Sequence, residues 1–199
     1  MSQREVWDAI APQWHRWREK PLPEVMRFIE GAAGYLDIGC GSRRHLAKGK
    51  KVTGLDFSVE MLKLAKKFSE DNGIDADFIM ADACEMPLKD ESFSMAVAAA
   101  VLHAVPKESH EKFLKEMKRV MKKGGKCIIT VWNKDQEKFT GLAKERYVPW
   151  KDEGEALMRH YYLFDKEEFE TLLGKSGFRT DRVYLDAEGW NIIAEISKP

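Results

Sequence analysis

The stretch Leu36-Asp37-Ile38-Gly39-Cys40-Gly41-Ser42 places two glycines directly after a short apolar run. Glycine lets a chain turn sharply and lets a ligand come within contact distance of the main chain. A second apolar run, residues 52–56, ends in Asp56, 17 positions after Gly39. A carboxylate at that strand end is placed to accept both hydroxyls of a ribose. A bare GxG would be an ordinary turn, and the spacing to Asp56 is what turns it into a nucleoside site. Nicotinamide dinucleotides are one candidate ligand, but Gly39-Cys40-Gly41-Ser42-Arg43-Arg44 lacks the last glycine of GxGxxG. Asp37, just before the turn, would repel a pyrophosphate. It suits a ligand that carries a positive charge.

The elements that must hold these residues alternate. Residues 35–38 and 52–56 read as strands. Ser58 caps a helix with Met61, Leu62, Ala65 and Phe68 on one face, closed by Asn72-Gly73. Residues 78–80 form a third short strand, and the nearly all-apolar residues 93–102 suit a parallel strand buried on both faces. Phe113, Leu114, Met117, Val120 and Met121 make an amphipathic stripe. Gly124-Gly125 is expected to stop that helix before a central strand at 127–132. Asp165 and Glu168 have capping-box spacing ahead of a helix closed by Gly177, and two strands follow at 178–185 and 191–197. This alternation is that of βαβ units and a mainly parallel sheet. Residues 1–31 and 133–164 do not fit the repeat. Neither has a core of its own, so both read as additions to one domain spanning 1–199: an aromatic N-terminal extension and an irregular insertion.

Composition limits the rest. In 199 residues, 33 basic side chains balance 33 acidic ones, which argues against coating nucleic acid non-specifically and leaves only local patches for RNA. With 44% hydrophobic and 33% charged residues the chain is expected to be globular. No apolar run approaches a bilayer span, and the first residues lack a signal-peptide core. Cys40, Cys84 and Cys127 form no CxxC pair, so neither a disulfide framework nor a metal site is expected, and a reducing, cytoplasmic compartment is.

Asp37-Ile38-Gly39-Cys40-Gly41 resembles the first motif of class I S-adenosylmethionine-dependent methyltransferases. Asp56-Phe57-Ser58 is similar to their ribose-binding motif, Asp82-Ala83 to the segment that contacts adenine, and residues 119–125 to the run before their fifth strand. The resemblance implies an α/β, Rossmann-like fold with a mostly parallel seven-stranded sheet and helices on both faces. It implies S-adenosylmethionine as cofactor, held by Asp37, Gly39, Gly41, Asp56, Phe57, Asp82 and Ala83. Arg43 stands where many members have a third glycine. The chemistry agrees: a carboxylate and aromatic faces stabilise a sulfonium, and in-line methyl transfer mainly needs alignment. No covalent intermediate is needed, so Cys40 and Cys84 read as packing residues.

The two additions are expected to overhang the strand ends and choose the acceptor. Arg18 to Pro23, Val101-Leu102-His103, Val148-Pro149-Trp150 and Arg159 to Phe164 resemble one subgroup, the tRNA wobble-uridine carboxymethyl methyltransferases. Here His160 and Tyr162 stand where that subgroup carries tyrosine and histidine. The resemblance implies esterification of a carboxymethyl group on the wobble uridine of a tRNA anticodon loop, and a small zinc-binding activator subunit as partner. A carboxylate acceptor is ionised near neutral pH and needs no general base. Arg18 and Arg159 are therefore expected to orient it by planar contacts, with His103 as a nearby donor. Trp150 and Tyr161 are expected to stack on a splayed base.

Plainer readings compete. Trp7, Trp14 and Trp17 are spaced like one helix face, so packing accounts for Trp7 and Trp14. His103 has a structural reading as a donor at a strand end. The run 107–126, with eight Lys/Arg against three Glu, and the trio Lys48, Lys50 and Lys51 are each either solvated surface or phosphate contacts. The alternative functions are a methyltransferase for a small metabolite and a non-catalytic cofactor-binding module.

Overall fold

Buried apolar runs too short to be helices must pair, and in a computed structural model, which describes residues 1–150 and 156–199, they do. The strands β1 (Gly34–Ile38), β2 (Lys51–Asp56), β3 (Ala76–Met80), β4 (Phe93–Ala99), β5 (Met121–Trp132), β8 (Arg179–Leu185) and β9 (Asn191–Ser197) form one sheet. Its order is β3-β2-β1-β4-β5-β9-β8, and β9 alone runs against its neighbours. The seven-stranded, mostly parallel sheet expected from the sequence is therefore present. Strand order reverses between β1 and β4, which opens a crevice at the carboxyl ends of the strands.

Helices α4 (His110–Val120) and α5 (Lys166–Lys175) cover one face, through Phe113, Leu114, Met117, Phe169 and Leu173. The other face is covered by α3 (Val59–Asn72) and α2 (Pro23–Phe28). The local stop and start signals act as their chemistry dictates. Ser58 accepts the Met61 N–H at 3.1 Å, Asp165 accepts that of Glu168 at 2.9 Å, and Gly73 closes α3 in the left-handed region at φ +62°.

The glycine turn read between β1 and β2 runs on without a helix. Residues 39–50 cross over as turns, tied down where the Tyr35 hydroxyl donates to the His45 carbonyl and accepts the Ala47 N–H at 3.1 Å. Val25 and Ile29 of α2 and its flank share a core cluster with Tyr35, Leu46 and Ala47 of this crossover. The Gly124-Gly125 pair does not stop α4, which ends at Val120. The glycines instead form a tight turn inside β5, where a Cβ on Gly125 would lie 2.8 Å from the Lys122 carbonyl oxygen. The insertion at 133–164 is not irregular throughout. Strands β6 (Glu145–Trp150) and β7 (Leu157–Tyr162) pair as a separate antiparallel sheet. β6 alternates between exposed and half-buried residues, with Pro149 on the exposed side.

Helix α1 (Gln3–Trp17) joins this hairpin to the main sheet. Asp8 accepts the Ser58 hydroxyl at 2.6 Å and the Glu60 N–H at 3.2 Å. Gln3 accepts the His160 N–H at 2.7 Å and donates to the Met158 carbonyl at 3.0 Å. The two additions thus meet each other over the strand ends.

Candidate active site

The glycine turn folds back over β2. The N–H groups of Gly39 and Cys40 both donate to the Leu55 carbonyl, at 2.7 and 3.0 Å. Gly39 sits at φ +67°, and a Cβ there would lie 2.4 Å from a Val101 methyl. Gly41 sits at φ +59° and would meet only the Trp14 indole nitrogen, at 3.7 Å. The first glycine is fixed by close packing, whereas the second leaves the backbone open to a crevice of about 390 Å³. Phe57, Asp82 and Ala83 also line that crevice, with Trp7, Trp14 and Arg18 from the N-terminal extension. Ala100, at the end of β4, lines it too, in the left-handed region at φ +60°. That is a strained conformation for a residue with a Cβ.

Two buried carboxyls set the electrostatics. Asp56 accepts the Gly41 N–H at 2.9 Å through one oxygen and the Ser58 N–H at 2.9 Å through the other. Each oxygen keeps a lone pair, so the carboxylate can still accept ribose hydroxyls. Burial pushes Asp56 up to about 6, against those N–H bonds. Asp37 is raised further, to about 8, by burial and then by the charge of Asp56, and its Oδ2 is buried without a partner. An unpaired buried acid beside an open glycine turn fits a cationic nucleoside such as S-adenosylmethionine. Gly41 and Asp56 would hold that cofactor, with Phe57, Asp82 and Ala83 along the same wall; Asp37 is buried behind the turn, does not line the crevice, and would act on the ligand through its charge.

A pH dependence follows. Below its folded value near 8, Asp37 is mostly protonated in the free protein. A bound cation favours its ionised form, so binding releases a proton and tightens as pH rises from 6 toward 8, by at most about tenfold per unit. The same raised values act oppositely on the ligand-free fold, whose stability falls as pH rises through about 6 and about 8. Calorimetry of S-adenosylmethionine in buffers of different ionisation enthalpy measures the released proton. A flat affinity profile with no proton release would refute the role of Asp37.

Next to this crevice lies a cationic aromatic cluster. Arg159 on β7 is only 4% exposed, and its guanidinium carbon lies 4.9 Å from the Trp150 ring, 5.2 Å from Tyr161 and 5.9 Å from Trp14. It donates to the Tyr161 hydroxyl at 2.9 Å, while its Nε and the Trp150 indole nitrogen are buried without partners. Arg18 stands 5.0 Å over Trp14. Neither arginine is paired with a carboxylate among the described residues. His103 lies in a 3-10 turn after β4 and accepts the Trp132 backbone N–H through Nδ1 at 3.1 Å. Burial, then the charges of Arg159 and Arg18, lowers its pKa to about 3. The ring is therefore neutral, with its proton on Nε2, available to donate but not to act as a cation.

The sequence-predicted residues thus fall into two adjoining groups, bridged by Trp14 and Arg18. Tyr161 is not a free stacking platform. It is buried, its ring 4.4 Å from Trp132 and 5.2 Å from His103, and its hydroxyl, also buried, accepts from Arg159. Lys50 is not a free phosphate contact, because it donates to the Glu30 and Ala32 carbonyls at 2.6 and 2.8 Å. All three cysteines are buried free thiols pushed upward by burial, Cys84 to about 12, as packing residues should be. Sequence reasoning missed Gln3, Asp8 and Trp132. Trp132 ends a strand already read as central, and its place beside His103 follows only from the pairing of β4 with β5. No helix among the described residues is long and apolar enough to cross a membrane.

Comparison with known proteins gives a consistent set. A methyltransferase-domain family model matches residues 36–129. The chain is 27% identical to the tRNA (carboxymethyluridine(34)-5-O)-methyltransferase of Schizosaccharomyces pombe, over 96% of this chain and 94% of that protein. It is 34% identical to the Arabidopsis thaliana protein of the same name over 70% of its own length, but spans only 34% of that larger relative. A putative methyltransferase of Encephalitozoon cuniculi is 30% identical, covering 72% of this chain and 69% of the relative. In fold, the chain is similar to an S-adenosylmethionine-dependent methyltransferase of Methanosarcina mazei, with a TM-score of 0.75 at 23% identity, covering 90% of this chain and 98% of that one.

Proposed function

The chain belongs to the S-adenosylmethionine-dependent methyltransferases, and from that premise we propose that it esterifies the carboxymethyl group of a modified wobble uridine in tRNA. The observation that carries this reading is the buried guanidinium of Arg159, held among aromatic rings beside the cofactor crevice with no carboxylate partner among the described residues. Burying an uncompensated cation is expensive, and an incoming carboxylate offsets that cost. The relatives named as carboxymethyluridine methyltransferases support the same acceptor.

The bound cofactor supplies a methyl group on a positive sulfur, open to displacement. The chain supplies position. Asp56 fixes the ribose, and the open backbone at Gly41 admits the ligand. Arg159 and Arg18 would orient the acceptor carboxylate, and the Tyr161 hydroxyl, which accepts from Arg159 at 2.9 Å, would fix the Arg159 plane. His103 donates through Nε2 while remaining neutral. No residue needs to remove a proton, because a carboxylate is already ionised near pH 7. The half-buried Trp150, whose indole N–H lacks a partner, is the aromatic face offered to the base.

The test uses cofactor labelled in the methyl group, offered with bulk tRNA or with a pool of small metabolites. The expected product is labelled tRNA whose label is released as methanol by mild alkali, since esters hydrolyse and methylated nitrogens do not. Label confined to metabolites, or alkali-stable label in tRNA, would overturn the assignment.

A further inference from the structure

Trp17 is 74% exposed, the most exposed aromatic side chain among the described residues. It ends α1, three residues after Trp14, in a shallow basin lined also by Arg16, Arg18, Glu19, Lys20 and Arg44. Arg18 and Arg44 line both this basin and the cofactor crevice, so the two adjoin. The only acid of the basin, Glu19, is held by Arg43 at 2.5 Å. Arg16, Arg18, Lys20 and Arg44 have no acidic partner among the described residues. Arg44 uses its Nε on the Lys20 carbonyl at 2.9 Å, which holds the two cations together. A basic last turn complements a helix dipole, and that accounts for Arg16. It does not account for a bare indole, nor for Lys20 and Arg44 beyond the helix. Four cations around one exposed aromatic face, in a chain of zero net charge, match an unpaired nucleotide strand, with phosphates on the rim and a base on the ring.

We propose that this basin is an RNA shelf at the mouth of the acceptor site, where Trp17 stacks on an unpaired base next to the modified one and Arg16, Lys20 and Arg44 take the flanking phosphates. The inference rests on the tRNA reading and adds to it a surface and a residue outside the reacting groups. The probes are a synthetic anticodon stem-loop RNA, a fully paired duplex of equal length and vesicles rich in phosphatidylserine. Trp17→Ala is expected to weaken stem-loop binding by about tenfold and Trp17→Phe to restore most of it, with duplex binding and S-adenosylmethionine affinity unchanged. Arg16→Ala and Lys20→Ala should each flatten the salt dependence of stem-loop binding by about 0.7 in logarithmic slope. If Trp17→Ala binds the stem-loop as the native protein does, while the native protein still methylates tRNA, the shelf is wrong and the tRNA reading stands. If the native protein neither binds nor methylates RNA, the tRNA reading falls and the shelf with it. Trp17-dependent binding to the vesicles without RNA binding would likewise overturn the shelf.

Discussion

Asp56→Ala is expected to weaken S-adenosylmethionine and S-adenosylhomocysteine binding by about a hundredfold or more. The carboxylate sits at the end of β2 with one oxygen on the Gly41 N–H and the other on the Ser58 N–H, both at 2.9 Å. Removing it takes away the acceptor for the ribose hydroxyls and also frees the N–H that fixes the glycine turn. Hydrogen bonds to charged groups are worth roughly 1.5–3 kcal/mol each, and losing two such contacts to the ligand gives about two to four decades in affinity. Asp56→Asn is expected to fail as well. An amide can satisfy one of the two backbone donors, but its NH2 then faces the other donor. Titration calorimetry gives the affinities. Thermal unfolding without ligand separates a lost contact from a lost fold. Affinity within about threefold of the native value in a folded Asp56→Ala protein would remove the ribose assignment.

That prediction rests on the part of the molecule most legible in its sequence. Gly39, Gly41 and Asp56 are read through backbone constraints, since a left-handed turn and a strand-end carboxylate demand particular residue types wherever they occur. The caps at Ser58, Asp165 and Gly73 were readable for the same local reason, and the seven strands of the main sheet followed from their apolar runs. What escaped depends on distant partners. The helix-free crossover from β1 to β2 is held by Tyr35 reaching across to His45 and Ala47, and no local signal in residues 39–50 announces that contact. The β6–β7 hairpin carries a proline in one strand, which masks its alternation, and its pairing needs α1 and Gln3 to hold it. The stacking expected of Tyr161 on a splayed base fails because its ring is buried, and that burial follows from where Trp132 and His103 end their own segments. Local chemistry marks out the proposed cofactor half of the site. The proposed acceptor half is assembled from α1, the end of β4, the end of β5 and the hairpin, so its residues and their proposed roles are legible in the sequence while their burial and mutual contacts are not.

This division sets up the opposite expectation for Arg159. Arg159→Gln should leave S-adenosylmethionine affinity within about twofold of native while lowering methyl transfer by about a hundredfold. The guanidinium does not line the cofactor crevice, so cofactor binding has no direct contact to lose. In the proposed reaction its chemistry is directed at the acceptor. A charge-assisted, two-point grip on a carboxylate contributes roughly 1.5–3 kcal/mol, and a loosely held acceptor loses further alignment with the methyl group. Glutamine is preferred to alanine because Arg159 is sandwiched by Trp150, Tyr161 and Trp14, and deleting the whole side chain would let those rings collapse. Arg159→Lys keeps the charge but not the planar fork, and should recover part of the rate with a raised KM for tRNA. Tyr161→Phe is the companion variant, since it removes only the hydroxyl that accepts from Arg159 at 2.9 Å. It should lower transfer in the same direction by a smaller factor, and its effect should vanish in the Arg159→Gln background, because a positioning hydroxyl has nothing left to position. Equal loss of cofactor affinity in the Asp56 and Arg159 variants would contradict the separation of the two halves. A Tyr161→Phe effect that persists without Arg159 would give the hydroxyl a direct contact with the acceptor.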